Sequence, residues 1–429
     1  MDLETAQIKD VIQDEVFEYG NYFTNEKITN YDTFEELGLS NETLKSIYAN
    51  GFERPSQIQQ KAIKPVMDGR DIIAQSQSGT GKTGTFVIAA IERIDKQLHE
   101  PQVIILSPTR ELAKQTLEVC TALTRFHNKI DIHLAIGGVG RSMSSRKYSH
   151  LRRGGSSSKT ENGEDIIMGK IIVGTPGRIC DIIQKKRLNV ANIKNVILDE
   201  GDEMLSIGFY DQINNIIDSV PKSASIQLFS ATIPKEMIQL IDECNILTNP
   251  VKILVKQEEQ SLQGIKQYYV VIEEQDKYPA LRELYEMMNI NQSIIYCNSR
   301  RKVDILTNNM IEDNFPAKCI TGDMSQEERN EILQEFKTGG LRVLITTDLL
   351  SRGIDVQQIS LVMNFDMPKD TEVYLHRIGR GGRFGRKGVA INFSDFKNKV
   401  SDKKILQEIE KNYSIQIEEL PQDINKIFE

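Results

Sequence analysis

The sequence predicts an α/β protein built from two doubly wound domains with parallel sheets. Short apolar runs alternate with helical stretches along both halves of the chain, which is typical of buried parallel strands joined by crossover helices. The chain has 429 residues. A single hydrophobic core stops growing at roughly 250–300 residues, so at least two domains are expected.

In the first half, five apolar runs are interpreted as strands, and each ends in a small or polar cluster. They span residues 71–74, 103–106, 170–173, 195–198 and 226–229. The loops that follow the strands of an open parallel sheet carry the functional residues, so these clusters mark a candidate site. We place this first domain at residues 33–255.

The second half of the chain shows the same alternation of apolar runs and helical stretches. Its predicted strands span residues 293–296, 317–320, 342–345, 361–364 and 389–393, and we place the second domain at residues 265–429. Residues 256–264 between the domains are polar and end in Gly264, which favours a flexible linker.

Two further segments stand outside the domain pattern. Residues 1–32 hold eight acids against Lys9 and Lys27, which predicts a mobile acidic arm. Residues 154–163 are rich in Gly and Ser, which predicts a flexible loop. The overlapping stretch of residues 141–160 contains six Lys or Arg and no acid. They form either a solvated loop or an auxiliary RNA contact.

Composition excludes several classes. The net charge of -8 argues against a protein that coats nucleic acid by bulk positive charge, but it leaves room for a local basic groove. The five cysteines show no C-x-x-C spacing, which indicates a reducing compartment without disulfides or a zinc site. No apolar run approaches the roughly 18–20 residues of a membrane span, and the acidic start is not that of a signal peptide. We expect a soluble intracellular protein.

A phosphate-binding loop follows the first predicted strand. Residues 76–83 read Ser-Gln-Ser-Gly-Thr-Gly-Lys-Thr and lead into a helical stretch. In such a loop, backbone N–H groups cradle phosphates at a helix N-terminus, the Lys neutralises the β- and γ-phosphates, and the Thr hydroxyl binds Mg²⁺. These are the roles expected of Lys82 and Thr83. The other loop residues expected to bind ATP are Ser78, Gly79, Thr80 and Gly81.

A pair of acids ends another strand. The apolar residues 196–198 run into Asp199 and Glu200, the Walker B arrangement. We expect Asp199 to hold Mg²⁺ through water and Glu200 to orient an attacking water.

Arginines are concentrated near the end of the chain, where residues 376–387 hold five Lys or Arg and no acid. Arg380 and Arg383 are three residues apart, so they would share a helical face. From the second domain they could reach the γ-phosphate as arginine fingers and make hydrolysis depend on domain closure.

Together these motifs resemble those of the DEAD-box RNA helicases, and the resemblance covers residues 31–429. It implies two RecA-like domains and a set of ATP contacts. Residues 51–59 resemble the Q motif, in which Phe52 stacks on adenine and Gln59 hydrogen-bonds its edge. Phe34 matches the isolated upstream aromatic. Gly353 and Asp355 belong to a motif that completes the ATP site.

The resemblance also assigns RNA contacts and coupling residues. The implied RNA-binding residues are Pro108, Thr109, Arg110, Gly138, Thr175, Arg178, Asn298, Arg300, Gly322, Gln326, Arg329 and Thr346. The residues implied to couple hydrolysis to strand separation are Asp202, Ser230, Thr232, Arg352 and His376. Small residues, Thr and Arg suit readout of phosphates and sugars, which predicts binding of single-stranded RNA or short duplexes without sequence preference.

The sequence departs from the family at the name-giving tetrad, residues 199–202, where Gly201 replaces the usual Ala. Glycine adds backbone freedom that costs roughly 0.5–1 kcal/mol. We therefore expect a modest loss of activity, and restoring Ala at 201 should change the ATPase rate by less than about tenfold, ~1.4 kcal/mol.

The function implied is ATP-driven local unwinding of RNA in cap-dependent translation initiation. The reason is that the sequences at residues 348–355 and 377–393 resemble those of the initiation branch of the family. The implied cofactors are ATP and Mg²⁺, and the implied partners are RNA and an initiation scaffold protein. We expect a cytoplasmic monomer without a membrane partner. Three alternatives stay open: an ATP-gated RNA clamp with slow hydrolysis and a nuclear location, a metabolic P-loop ATPase or kinase, and a DNA helicase.

Overall fold

The computed structural model of the protein describes residues 12, 15–77, 79–137, 166–205, 208–256, 265–288, 290–350, 359–380, 388–413, 415–422 and 424–427. The chain divides into two compact units, residues 1–256 and 257–429. The prediction of two α/β units, each built around parallel strands, is confirmed. Each unit is described by itself.

The first unit is built on a nine-stranded sheet with the order β1-β2-β9-β3-β8-β7-β4-β6-β5. Its strands are β1 (Phe17–Tyr19), β2 (Tyr22–Thr24), β3 (Ile72–Gln75), β4 (Val103–Leu106), β5 (Ile132–Ala135), β6 (Ile171–Gly174), β7 (Asn195–Asp199), β8 (Ser225–Ser230) and β9 (Val251–Val255). Its helices are α1 (Asn41–Ala49), α2 (Gln57–Met67), α3 (Lys82–Arg93), α4 (Arg110–Leu123), α5 (Pro176–Gln184), α6 (Gly201–Met204), α7 (Tyr210–Ser219) and α8 (Lys235–Glu243).

The second unit is built on a seven-stranded sheet with the order β12-β13-β11-β14-β15-β10-β16, and all its pairs are parallel. Its strands are β10 (Ile265–Val271), β11 (Ser293–Tyr296), β12 (Ala317–Ile320), β13 (Val343–Thr346), β14 (Leu361–Asn364), β15 (Gly388–Ser394) and β16 (Glu418–Glu419). Its helices are α9 (Lys277–Met287), α10 (Arg300–Glu312), α11 (Gln326–Lys337), α12 (Thr371–Ile378) and α13 (Val400–Tyr413). Short 3₁₀ helices span Glu274–Asp276, Asp348–Leu350 and Ile424–Ile427.

Side-chain alternation along each strand explains why both sheets are covered on both faces. In β3, Ile72 and Ala74 point into one apolar cluster and Ile73 into another, while Val103 and Ile104 of β4 divide in the same way. A continuous apolar run is therefore what a strand buried on both faces requires. The second unit likewise has one apolar cluster on each face of its sheet.

The expectation of a mobile arm over residues 1–32 is wrong for residues 17–24. They form an antiparallel hairpin whose second strand pairs with β9, from Tyr22 opposite Val255 to Thr24 opposite Ile253. Tyr22 and Phe23 are buried in the two apolar clusters of the first unit. The prediction was based on the number of acids in this segment and overlooked the adjacent aromatic residues Tyr22 and Phe23, which face opposite sides of the sheet in an added strand. Residues 1–11 lie outside the described residues.

Among the described residues, none of the helices combines the length and the apolar character needed to cross a bilayer. The predicted linker from residue 257 on, and the basic and Gly/Ser-rich stretch at 141–163, lie outside the described residues.

Candidate functional site

Functional side chains of the first unit collect at the carboxyl ends of β3, β7 and β8, which lie side by side as parallel strands. The phosphate loop leaves β3, Asp199 and Glu200 leave β7, and Ser230 ends β8. The Ser76 N–H donates to the Ser230 carbonyl at 3.0 Å, which joins the loop to β8. The sheet thus places three separate sequence motifs together.

The phosphate loop closes on itself in this structure. Lys82 is buried, and its Nζ donates to the Ser76 carbonyl at 2.8 Å. The Ser76 and Thr80 hydroxyls are hydrogen-bonded, and Thr80 also donates to the Gln77 carbonyl at 2.7 Å. Gly81 has a φ of 100°, which only glycine adopts readily, and it precedes the first turn of α3, where Thr83 lies half-buried. Ser78 lies outside the described residues.

The acidic residues form a compact group with the hydroxyls assigned to coupling. The Glu200 N–H donates to Asp199 Oδ1 at 3.1 Å, and Glu200 itself has a φ of 55°. The Asp202 N–H donates to Ser230 Oγ at 3.3 Å, and Thr232 Oγ1 donates to Asp202 Oδ2 at 2.7 Å. A left-handed glutamate costs of order 1–3 kcal/mol, which is the kind of strain that clusters at functional sites.

The electrostatics of this group suit a divalent cation. Burial raises the pKa of Asp199, the neighbouring Glu200 carboxylate raises it further, and Lys82 opposes both. Crowded, buried carboxylate oxygens beside a lysine are the hard donors that Mg²⁺ prefers. The residues present therefore fit the predicted metal.

Gly201 is tightly packed, which the sequence did not indicate. A Cβ built on Gly201 would lie 2.5 Å from Leu228 Cδ2 and 2.6 Å from its Cγ. Leu228 is completely buried in β8. The expectation that Gly201 differs from Ala only in backbone freedom is therefore incomplete, because Ala at 201 requires Leu228 to move.

The Q-motif residues lie against the phosphate loop. Gln59 is buried, its Oε1 accepts from the Ser56 N–H at 2.8 Å, and its Nε2 donates to the Gly81 carbonyl at 3.4 Å. Phe52 is half-buried, and its ring lies 3.8 Å from the position of a Cβ on Gly84. Both residues are thus close to the loop that would hold phosphates.

Phe34 is the exception among the predicted ATP contacts. It is completely buried in the apolar core and meets Tyr48 edge-on, with ring centroids 6.4 Å apart. An aromatic ring with no exposed face cannot stack on a base, so its position in this structure contradicts a direct ATP contact.

Two groups of predicted RNA contacts lie at adjacent strand ends. Pro108, Thr109 and Arg110 follow β4, while Thr175 and Arg178 follow β6, which pairs with β4. Each group begins a helix, and helix N-termini present N–H groups to phosphates.

The side chains of these groups also have partners in the protein. Thr109 caps α4 by accepting from the Leu112 N–H at 3.2 Å. The Arg110 guanidinium lies 3.3 Å from the position of a Cβ on Gly137, so a larger residue there would crowd it. Arg178 pairs with Asp181 at 2.6 Å. Gly138 lies outside the described residues.

In the second unit, the predicted RNA contacts divide into exposed and buried residues. Asn298, Arg300 and Gly322 are exposed, and the Arg300 guanidinium lies 3.0 Å from the position of a Cβ on Gly322. Thr346 is completely buried, and its hydroxyl donates to the Ile320 carbonyl at 2.8 Å. Its position therefore contradicts a side-chain contact with RNA and gives it a structural role. Gln326 and Arg329 on α11 are also mostly buried.

Arg377 is a functional candidate that sequence reasoning missed. It is completely buried and donates to Asn298 Oδ1 at 2.8 Å, to Asn364 Oδ1 at 3.0 Å and to both carboxylate oxygens of Asp348 at 2.6 and 3.0 Å. It thereby fixes the Asn298 amide. Arg377 is the first arginine of the cluster at residues 376–387, so the sequence did contain an indication of it. The three-residue spacing used to choose candidates selected only Arg380 and Arg383.

Asp366 completes this buried network. Its Oδ1 accepts from Lys277 at 3.0 Å and from Lys302 at 2.6 Å, and its Oδ2 accepts from the Asn298 N–H at 3.0 Å. Burial alone would raise the pKa of Asp366, but the two ammonium groups and the Asn298 N–H lower it to about 2. Asn298 is thus held from two sides.

The arginine-finger candidates are only partly described. The helix ends at Ile378 with Gly379 as its cap, so Arg380 lies beyond it, and the expected shared helical face is not formed at Arg380. Both His376 and Arg380 are buried, and Arg380 Nε donates to the His376 carbonyl at 3.2 Å. Arg352, Gly353, Asp355 and Arg383 lie outside the described residues.

Comparison with known proteins identifies relatives of both units. Residues 56–241 match the DEAD/DEAH box helicase family, and residues 276–385 match the helicase conserved C-terminal domain. The ATP-dependent RNA helicase eIF4A of Candida glabrata is 48% identical over 93% of this chain and 96% of its own length. Eukaryotic initiation factor 4A of Dictyostelium discoideum is 47% identical over 94% of each chain.

Solved structures agree with this assignment. Saccharomyces cerevisiae Dbp5 bound to RNA and ADP BeF3 is 35% identical, with a TM-score of 0.81 over 93% of this chain and 100% of that one. Mss116p bound to ssRNA and AMP-PNP is 25% identical, with a TM-score of 0.77 over 94% of this chain and 82% of that one.

Proposed function

This chain belongs to the DEAD/DEAH box helicase family, and we propose that it is an ATP-dependent RNA helicase that locally unwinds RNA. The observation that carries the proposal is the convergence of Lys82, Asp199 and Glu200 at one edge of the first sheet. A phosphate loop beside a Walker B pair is the arrangement that ATP hydrolysis requires.

The proposed ATP site uses the first unit. Phe52 stacks on adenine, Gln59 reads its edge, and backbone N–H groups of residues 78–83 cradle the phosphates. For this, Lys82 must leave the Ser76 carbonyl and turn to the β- and γ-phosphates. Glu200 orients the attacking water. When bound, Mg²⁺ would offset phosphate charge, held by the Thr83 hydroxyl and, through water, by Asp199.

Coupling is proposed to run through Asp202, Ser230 and Thr232. Their hydrogen bonds join the end of β8 to the segment that carries both acids. A movement of Glu200 would therefore be transmitted to Thr232. Closure of the second unit on the first would bring Arg380 and Arg383, together with Gly353 and Asp355, to the nucleotide, while His376 and Arg352 contribute to coupling. Arginine fingers stabilise negative charge in the transition state.

RNA is proposed to lie across the strand ends that carry residues 108–110, 175–178 and 298–300. Contacts to phosphate and sugar position RNA without reading its sequence, and contacts to 2′-hydroxyls select it over DNA. Asn298, whose amide is fixed by Arg377, retains an exposed face for such a contact.

The biological setting is a further proposal. Relatives that are 46–48% identical are named as initiation factor 4A, which supports a role in translation initiation. We propose that this role is in the cytoplasm and uses a scaffold protein as partner. We also propose that the chain acts as a monomer.

The test is strand separation of a short RNA duplex with ATP. We expect unwinding by the natural protein and none by Lys82→Ala, because phosphate charge is no longer neutralised. Binding of RNA without unwinding, with slow phosphate release, would instead favour the ATP-gated clamp. Absence of both ATP hydrolysis and RNA binding would contradict the proposal.

A further inference from the structure

Lys61 is a buried lysine that the proposed mechanism does not use. It lies on α2 and is 5% exposed. Its Nζ donates to Asn30 Oδ1 at 3.2 Å and lies 5.0 Å from the centroid of the Tyr22 ring. Within the part of the chain that the structure describes, no carboxylate lies within ion-pair distance of Lys61. Its charge is therefore compensated by two residues of the N-terminal segment.

That segment is fixed independently of Lys61. Tyr22 belongs to β2, which pairs with β9. Asn25 donates to the Pro250 carbonyl at 3.0 Å and accepts from the Lys252 N–H at 2.7 Å. Glu26 pairs with Arg70, just beyond the end of α2, at 3.1 Å. Residues 22–30 thus bind the edge of the sheet and hold α2 at two points.

The same helix carries the residues that touch the phosphate loop. Gln59, two residues before Lys61, donates to the Gly81 carbonyl. Ser56 is the N-cap residue of the helix, and its Oγ lies 3.2 Å from the position of a Cβ on Gly81. A shift of α2 would therefore move the contacts made by Gln59 and Ser56.

We propose that Tyr22 and Asn30 are positioning residues for the nucleotide site: they compensate the buried Lys61 charge and so allow α2 to stay against the phosphate loop. This inference rests on the proposed function of that loop in binding ATP.

The physical reason is the cost of an uncompensated buried charge. An ammonium group out of water is strongly unfavourable unless it is hydrogen-bonded. Burial already lowers the pKa of Lys61, which agrees with a site that compensates its charge only in part. When the partners are removed, Lys61 must reach water, and α2 must shift or turn to let it do so.

A double-mutant cycle in the full-length protein tests the inference. The probe is a fluorescent ADP analogue, N-methylanthraniloyl-ADP, titrated without RNA. We expect Asn30→Ala combined with Tyr22→Leu to weaken its binding roughly three- to tenfold, since a buried donor left unsatisfied is penalised. Lys61→Met removes the charge itself and should bind normally. Adding Lys61→Met to the first pair should restore the affinity.

The control is Asp32→Asn, which changes the other partner of the Asn30 side chain, 3.3 Å away, without touching Lys61. It should leave binding unchanged. Unchanged affinity in the Asn30 and Tyr22 variant, or no rescue by Lys61→Met, would overturn the inference. RNA-stimulated hydrolysis by the natural protein is scored separately, so failure of the proposed function is distinguishable from failure of this positioning role.

Discussion

At the scale of single residues, the close packing of Gly201 and Leu228 changes what the family departure means. The sequence showed only that glycine stands where alanine is usual. It could not show the short distance to Leu228, because that distance depends on how β7 and β8 pack. The catalytic candidates Asp199 and Glu200 immediately precede this contact. A side chain added at position 201 would therefore displace atoms directly beside the two acids.

We predict strong coupling between positions 201 and 228. Gly201→Ala alone should destabilise the first unit by about 1–3 kcal/mol, because overpacking forces Leu228 to move. In a Leu228→Ala background the same change should stabilise it, because the methyl group fills a cavity. Urea unfolding of the four proteins measures the coupling, which should reach about 0.5–3 kcal/mol. Additive effects would mean that Leu228 adapts without cost.

A second residue-level prediction concerns Asp366. Asp366→Asn should destabilise the second unit by about 3–5 kcal/mol, because the completely buried Lys277 loses its buried carboxylate partner and keeps only the more exposed Glu274, at 3.3 Å. Lys397→Met is the matched control. Its pair with Glu273 is exposed to solvent, so the change should leave the stability almost unaltered. Chemical unfolding of the full chain, followed by a probe in the second unit, distinguishes them, and equal effects would contradict the prediction.

The same carboxylate predicts a pH dependence. The pKa of Asp366 in the folded protein is about 2, below its ordinary value of about 3.9. A lowered pKa contributes stability that is present above the ordinary value and is lost as the pH falls through the folded value. The second unit should therefore lose stability between about pH 4 and pH 2. The Asp366→Asn variant should show a shallower loss, measured by unfolding at a series of pH values, and an equally steep loss would point to other groups.

At the scale of secondary-structure elements, the sequence located ten strands within about one residue, but it missed the N-terminal hairpin, β5, β9, β10 and β16. The predicted run 103–106 coincides with β4, because strands buried on both faces are continuously apolar. β9 and β10 were missed, since Lys252 or Lys266 interrupts each apolar run. The hairpin was hidden by the acids around it.

The hairpin reverses one expectation about the N-terminus. Deleting residues 1–32 would remove a strand with two buried aromatic residues, and Phe→Ala changes in cores alone cost about 3–5 kcal/mol. We predict that removal of residues 1–24 destabilises the first unit by at least about 3 kcal/mol, measured by urea unfolding. Removal of residues 1–11 is the comparison, since it keeps every described residue. Equal stability of the two truncated proteins would contradict the role of the hairpin.

At the scale of the whole molecule, charge is unevenly distributed. Of the net charge of -8, residues 1–32 supply -6, so the other 397 residues carry only -2. The acidic total therefore does not argue against RNA binding. It also includes Glu18 and Glu26, which pair with Lys256 and Arg70 and hold the hairpin to the first unit.

The sequence predicted which motifs meet more reliably than it predicted the role of each residue. The rule that parallel strands end at one edge was enough to bring Lys82 to Asp199. Phe34 and Thr346 were assigned direct contacts, but both are buried, and burial depends on tertiary packing that a motif does not contain. Arg377 and Asp366 were missed for the same reason, because their partners are distant in sequence.

The central claim is that hydrolysis of ATP depends on RNA, and the most direct test is the ATPase rate with and without single-stranded RNA. We predict that RNA increases the rate, that DNA of the same sequence increases it much less, and that Lys82→Ala shows no hydrolysis with either. An ATPase rate that is the same with and without RNA would contradict the account.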